Sequence, residues 1–294
     1  MAAVVKAKGG SASLRRNNKM AYALLFPGLL WLAIFFVAPI LTLVSTSTKV
    51  PGMGIGEFDQ AWRWANYWDA LTSTGPQFIR SFLFATMATF IALAIAYPLA
   101  YGIAFKSGKY KNILLVLVVA PFFCSFILRT IAWKQILGQE GPLFRLLLNL
   151  HMVSPSTHLT ATAGAVVIGL AYNFLPFMTL PLYSSLERID PRTLEASGDL
   201  YANAWTTFRK VTLPLSMPGV VAGTLLTFIP ATGDFVNAEI LGNPGTTMLG
   251  NVINAQFLNT LNYPLAATLS FILMIAILII VSVYIRRSGT EELV

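Results

Sequence analysis

Charge is the scarcest commodity in this chain. Only 11% of its 294 residues are Asp, Glu, Lys or Arg, against 56% hydrophobic, and the mean hydropathy is +0.68. A soluble domain of this length needs a charged surface that so few ionic side chains cannot cover, which excludes a water-soluble globular fold. Cysteine is almost absent. The single Cys124 cannot form an internal disulfide, and with two distant histidines, His151 and His158, it cannot build a metal site. Lying inside an apolar stretch, Cys124 reads as plain packing. Catalytic signatures are missing too. The nearest approach to a phosphate-cradling G-x-x-x-x-G-K-[ST] loop is Gly102…Gly108-Lys109, with one residue too many between the glycines and Tyr110 in the hydroxyl position. No G-x-S-x-G, H-E-x-x-H or C-x-x-C pattern occurs. Catalysis by this chain is therefore not expected, and no cofactor or metal is expected on it.

What the chain does contain is apolar blocks of spanning length. A net charge of +8 would suit nucleic acid, but the charges sit at the ends of these blocks, the footprint of membrane topology. Six spans are expected, at 22–45, 79–105, 112–137, 160–186, 212–234 and 264–285, each near the ~20 residues that a bilayer requires. The run from Ala21 to Thr48 is too long for a signal h-region and reads as a first span that is retained. The blocks are too long and too uniformly apolar for barrel strands, so the fold class is an all-α integral membrane protein.

Lysine and arginine set the orientation. Five lie in a basic tail over residues 1–20, three in the 106–111 hairpin, four between 187 and 210, and Arg286 and Arg287 close the last span. The opposite side carries Lys49, Arg63, Arg80 and Arg145, with Arg129 and Lys134 inside the third span. Both termini are thus placed in the cytoplasm, flanking a transmembrane domain over 21–286 with a short tail at 287–294.

The cytoplasmic loop at 187–214 is patterned. Asp190 before Pro191 is a helix start, with the carboxylate capping amides and proline in the first turn. Asn203 is placed to cap a second short helix carrying Trp205 and Phe208, which Pro214 is expected to end. The apolar residues Leu194, Leu200, Tyr201, Trp205 and Phe208 need cover from a partner or from the membrane face.

From Glu195-Ala196-Ser197 through Leu213-Pro214 this segment resembles the EAA loop of permease subunits of bacterial ABC importers. The resemblance, in which Val211 also falls at a matching position, implies coupling helices that sit in a cleft of an ATPase subunit and carry its closing motion to the spans, with Glu195, Ala196, Ser197, Gly198, Tyr201, Trp205, Phe208, Leu213 and Pro214 as coupling residues. Tyr201 stands where the family usually has a glycine. A tyrosine disfavours positive φ, so the turn is expected to be reshaped, with Gly198 the other candidate for it. The resemblance further implies two ATPase copies that bind ATP and Mg, a second permease subunit (a copy of this chain or a sister), an extracytoplasmic solute-binding protein, and a multi-pass place in the bacterial cytoplasmic membrane.

Three longer stretches, Pro121–Trp133, Leu175–Leu186 and Pro230–Gly250, resemble the spermidine/putrescine subfamily of these permeases. A polyamine path should offer carboxylates and aromatic faces. Asp234 and Glu239 at the outer end of the fifth span, with Tyr172, Phe174 and Phe235, are the candidates; ordinary loop carboxylates are the alternative. Arg129 either pairs with Asp234 or Glu239 to hold a gate, or binds an anion, which would favour a sulfate-like or phosphonate-like substrate. Lys134 can snorkel. Gly219 and Gly223 form a G-x-x-x-G suited to helix packing. A non-transporting membrane scaffold is the reading from a different class.

Overall fold

The computed structural model describes residues 10–52, 54 and 56–287; residues 1–9 of the expected N-terminal tail and 288–294 of the C-terminal one lie outside them. The first helix begins at Gly10, and its apolar part, α1, is Tyr22–Ser47. A two-stranded antiparallel hairpin follows, β1 Lys49–Pro51 and β2 Phe58–Gln60. Then come α2 (Ala65–Lys106) and a bent pair, α3 (Gly108–Phe123) with α4 (Phe126–Leu137), trailed by the short α5 (Pro142–Asn149). After α6 (Ala163–Glu187) the cytoplasmic loop holds α7 (Pro191–Asp199), and α8 (Ala204–Gly233) returns across the membrane. Two short helices, α9 (Val236–Leu241) and α10 (Leu249–Leu258), lead to α11 (Tyr263–Arg287).

Among the described residues five helices are long and apolar enough to cross a membrane, six if the bent pair counts as one span. Four expected spans match closely, and two are corrected. The third, expected as one span over 112–137, breaks at Cys124 and Ser125, where the segments Gly108–Phe123 and Phe126–Asn149 meet at 96°. Pro121 has no N–H to continue the α pattern; a 3-10 turn over Ala120–Phe123 takes its place, and Cys124 (ψ 149°) and Ser125 (ψ 136°) turn extended. Cys124, expected in packing, is therefore exposed at the break. The second span starts fourteen residues earlier than its apolar stretch, because α2 continues through 65–78, where Thr72, Ser73 and Thr74 return hydroxyl bonds to carbonyls of the preceding turn.

The core lies among α2, α6 and α8. Ala85, Ala88, Ala92, Ala96 and Ala100 form a fully buried stripe on α2, spaced three and four residues apart. Small side chains on one helix face let a neighbouring backbone approach closely, which is how helices associate where no water drives them together. Leu170, Met178, Leu182 and Leu186 of α6 fill the same cluster. Gly219 and Gly223 of α8 meet α6 directly: a Cβ at 219 would stand 2.7 Å from the Pro181 carbonyl oxygen, and one at 223 would stand 2.9 Å from the Met178 sulfur. α11 is tied to the end of α1 by Thr268 Oγ1, which donates to the Ser47 carbonyl at 3.0 Å.

Candidate functional site

The cytoplasmic loop forms as its capping residues dictate. Asp190 Oδ1 accepts from the Arg192 amide at 2.9 Å with Pro191 at the first helical position, and Asn203 Oδ1 accepts from the Thr206 amide at 2.8 Å. The turn between them is not reshaped. Tyr201 itself takes the left-handed conformation, φ 58°, while Gly198 stays inside α7. The Ala202 amide donates to the Ser197 carbonyl and the Tyr201 amide to that of Gly198, at 3.1 and 2.9 Å. This is the paired 6→1 and 5→2 closure of a Schellman motif, with tyrosine in the place glycine favours. The expectation failed because two hydrogen bonds and a helix end hold the backbone there despite the Cβ penalty. The Tyr201 ring reaches outward, 99% exposed.

The second short helix also departs from expectation. Pro214 does not end it; Ala204 to Gly233 run on as α8, through a π-turn over Phe208–Thr212. Pro214 cannot donate to the Lys210 carbonyl, and the helix absorbs that loss by widening locally rather than stopping. The short helix expected at Asn203 and the fifth span are thus one rod. Ser197 Oγ and Thr207 Oγ1 lie 2.8 Å apart and join α7 to it. Trp205 stacks on Phe208 at 5.5 Å, and Phe208 meets the Tyr97 ring of α2 edge-on at 5.5 Å. The Tyr97 hydroxyl in turn lies 2.7 Å from Ser216 Oγ on α8. Glu195 and Ala196 face solvent beside Gly198, Ser197 is buried, Leu213 is half-buried and Pro214 is exposed. At the mouth of the loop Lys111 pairs with Glu187 and covers the Tyr183 ring.

A second group of candidates converges near the far end of α8. Asp234, 8% exposed, accepts from the amide and from the side chain of Asn237, at 2.8 and 3.1 Å, which starts α9. Asn237 Oδ1 accepts from Asn173 Nδ2 at 2.9 Å, and Asn173 also donates to Thr130 Oγ1 at 3.1 Å. Four helix segments therefore meet in one buried polar chain. Asn173, Asn237 and Thr130 were not expected, because attention to charge passes over amides; an asparagine in the middle of an apolar span is the signal that would have found them. Tyr172 and Phe174 flank Asn173. Tyr172 sits edge-on to Trp133 at 5.2 Å and Phe174 lies 6.0 Å from Phe126. Glu239 is exposed and accepts from Asn251 at 3.0 Å, apart from Asp234, and Phe235 is exposed as well.

Arg129 does not pair with Asp234 or Glu239. Among the described residues the ion pairs are Arg63–Asp69 and Lys111–Glu187. The Arg129 guanidinium lies over the rings of Phe126 and Phe122, at 5.5 and 5.7 Å, and its buried Nε and Nη1 have no hydrogen-bond partner. The aromatic faces beside it supply the negative quadrupole that a carboxylate was expected to supply.

With this geometry in view, the likenesses to known proteins are specific. Residues 23–288 match the family model described as binding-protein-dependent transport system inner membrane component. The spermidine/putrescine transport system permease protein PotB of Haemophilus influenzae is 39% identical over 75% of this chain and 73% of its own length. PotB of Escherichia coli K12 is 38% identical over 71% and 76%, and the inner membrane ABC transporter permease YdcU of that strain is 31% identical over 92% and 90%. Among solved structures, a chain of a bacterial ABC transporter that imports alginate superposes with TM-score 0.67 at 17% identity, covering 94% of this chain and 97% of that one. A chain of the MetNI methionine transporter does so with TM-score 0.56 at 19% identity, over 72% and 93%. The bent third span, the helical cytoplasmic loop and these likenesses agree, and the chain belongs to the family of binding-protein-dependent transport system inner membrane components.

Proposed function

We propose that this chain is a permease subunit of an ATP-driven importer that moves a polyamine, spermidine or putrescine, across the bacterial cytoplasmic membrane by alternating access. The observation that carries this reading is the kinship with spermidine/putrescine permeases across some three quarters of the chain. Asp234 supports the substrate class: a carboxylate with neutral hydrogen-bond partners, set among amides and aromatic rings, is what a flexible ammonium chain needs on its route. ATP and Mg are handled by a separate ATPase, present in two copies. It seats the loop from Glu195 to Pro214 in its cleft, and its closure moves α7 and the rod of α8 together. A second permease subunit completes the pathway, and a solute-binding protein delivers the substrate from outside.

Arg129 favours one other reading. A buried guanidinium with two unpartnered nitrogens is a natural seat for an anion, which would suit a sulfate-like or phosphonate-like substrate. Uptake of labelled spermidine, putrescine and sulfate in a strain lacking this chain separates the two. The polyamine reading expects polyamine uptake to be lost, sulfate uptake to persist, and complementation with Asp234→Asn to restore well under half of the native rate. Polyamine uptake unchanged by the deletion rejects it.

A further inference from the structure

Asp234 stands at the far end of the rod that begins in the coupling loop. It directly follows Gly233, the last residue of α8, and its carboxylate is held by a single neighbour, Asn237. The Asn237 backbone amide donates to Oδ1 at 2.8 Å, and the side-chain Nδ2 donates to the same oxygen at 3.1 Å. A helix start needs only the first of these bonds. Both end on Oδ1, and among the described residues no hydrogen bond reaches Oδ2, so that oxygen is left for an incoming donor.

The direction of the Asn237 side chain is set from behind. A carboxamide offers oxygen on one side and N–H on the other, so turning it over would put its oxygen against that of Asp234. Asn173 Nδ2 donates to Asn237 Oδ1 at 2.9 Å and thereby keeps the N–H side toward Asp234. Thr130 Oγ1 orients Asn173 in turn. It accepts from Nδ2 at 3.1 Å, while its own proton goes to the Phe126 carbonyl at 3.0 Å. Donor and acceptor are thus assigned at every link from the Phe126 carbonyl to Asp234 Oδ1. Phe126 is the first residue of α4, directly after the break in the third span.

Two features set this chain apart from an ordinary tie between helices. With both N–H groups of Asn173 engaged, its Oδ1 is buried and has no partner. An unpaired acceptor in an apolar setting is unfavourable, and a native structure that keeps one calls for an explanation. Gly169, four residues before Asn173 on α6, is the second. A Cβ there would stand 2.8 Å from Asn237 Oδ1 and press on Leu241 as well, so the bare backbone is what lets the Asn237 amide reach Asn173.

We propose that Asn237 and Asn173 are positioning residues, which aim the Asp234 carboxylate at the polyamine and tie it to the break in the third span. The inference rests on the polyamine reading above and deepens it. It names two neutral residues, 0% and 1% exposed, that set the contact with the ammonium group without touching it. Amide donors orient a carboxylate and leave its charge intact, whereas a cationic partner would cancel it. A ligating oxygen fixed before binding loses little entropy when the ligand arrives. Because Asp234 closes the α8 rod and Thr130 lies in the first turns of α4, a shift of either helix re-aims the carboxylate.

The test uses the whole complex, permeases with ATPase, in proteoliposomes with ATP and spermidine-loaded binding protein. Asn237→Ala keeps the backbone bond that starts α9 and loses the side-chain link. Asn173→Leu keeps the volume and exchanges one unpaired acceptor for another. Both variants are expected to assemble and to unfold thermally as the native complex does. In each, the maximal rate of spermidine uptake should fall at least about threefold, while the concentration of loaded binding protein giving half that rate stays native. Either variant combined with Asp234→Asn should transport within about twofold of Asp234→Asn alone, because the link acts only through the carboxylate. Losses that multiply overturn the proposal. So do native uptake rates in the two asparagine variants, and so does a loss of assembly or thermal stability in Asn237→Ala, which would make the chain a structural tie. Native transport by Asp234→Asn would remove the carboxylate from the route and take the inference with it. A native complex that accumulates no spermidine would instead sink the importer reading itself.

Discussion

Tyr201 is the residue at which this chain departs most plainly from the family pattern, and its backbone behaves as the usual glycine would. The left-handed conformation costs an L-residue about 1–2 kcal/mol, while glycine carries an extra unfolded-state entropy of about 0.5–1 kcal/mol. Tyr201→Gly is therefore expected to be neutral or stabilising by up to about 1 kcal/mol in thermal unfolding of the purified complex. A marked loss of stability would contradict the turn geometry. Since the residue is 99% exposed, a fall in transport per ATP hydrolysed in the same variant would point to a contact with the ATPase. Arg129 teaches a different lesson at this scale. Its burial inside a span was legible from sequence, but its neighbours were not, because two phenylalanine faces can lie against a guanidinium without any sequence signature, and they leave its Nε and Nη1 unpartnered.

Helix ends and helix faces were largely readable. Asp190–Pro191 and Asn203 start helices where their capping chemistry places them, and the small residues of the G-x-x-x-G pattern pack against a neighbouring span. What could not be read was how a helix responds to proline. Pro121 accompanies a break of 96°, whereas Pro214 is carried through by a π-turn, and the difference lies in tertiary context rather than in the local sequence. The close approach of α8 to α6 yields a sharp contrast. Gly219→Ala would press a Cβ against the Leu182 Cα and the Pro181 carbonyl, so a destabilisation of about 1–3 kcal/mol is expected from overpacking. Gly198→Ala, in a helix with nothing within 4 Å of the added atom, should gain up to about 1 kcal/mol. Denaturation of the two variants side by side checks both signs. Between elements, the contacts from Trp205 through Phe208 to Tyr97 and Ser216 link the coupling segment to α2. Tyr97→Phe removes one hydrogen bond worth about 1 kcal/mol while keeping the ring contact. It is expected to lower transport per ATP without loss of assembly, and Ser216→Ala added to it should lower that ratio little further. Additive losses would deny that the pair acts as one link.

At the scale of the molecule, most of the long helices could be anticipated from six hydrophobic blocks, while the bias of lysine and arginine supplies an expected orientation. The α2–α6–α8 core follows from stripes of alanine, glycine and leucine that a pattern reading assigns to membrane packing in general but not to particular partners. The length of α2 beyond its apolar stretch was hidden for another reason: Asn66, Asp69, Thr72, Ser73 and Thr74 lower the hydropathy of a stretch that is still helical, so a hydropathy reading loses sight of it. In the proposed reading the chain lines a polar and aromatic passage and carries a single-rod coupling element, and polyamine transit is driven by ATP hydrolysis on a partner. The direct measurement is ATP hydrolysis by the purified complex in proteoliposomes, with and without spermidine-loaded binding protein, for the native chain and for Glu195→Ala. Loaded binding protein is expected to stimulate hydrolysis and drive spermidine accumulation in the native complex, and Glu195→Ala to break the link between the two. Full spermidine accumulation by Glu195→Ala, or accumulation by the native complex without ATP, would contradict it.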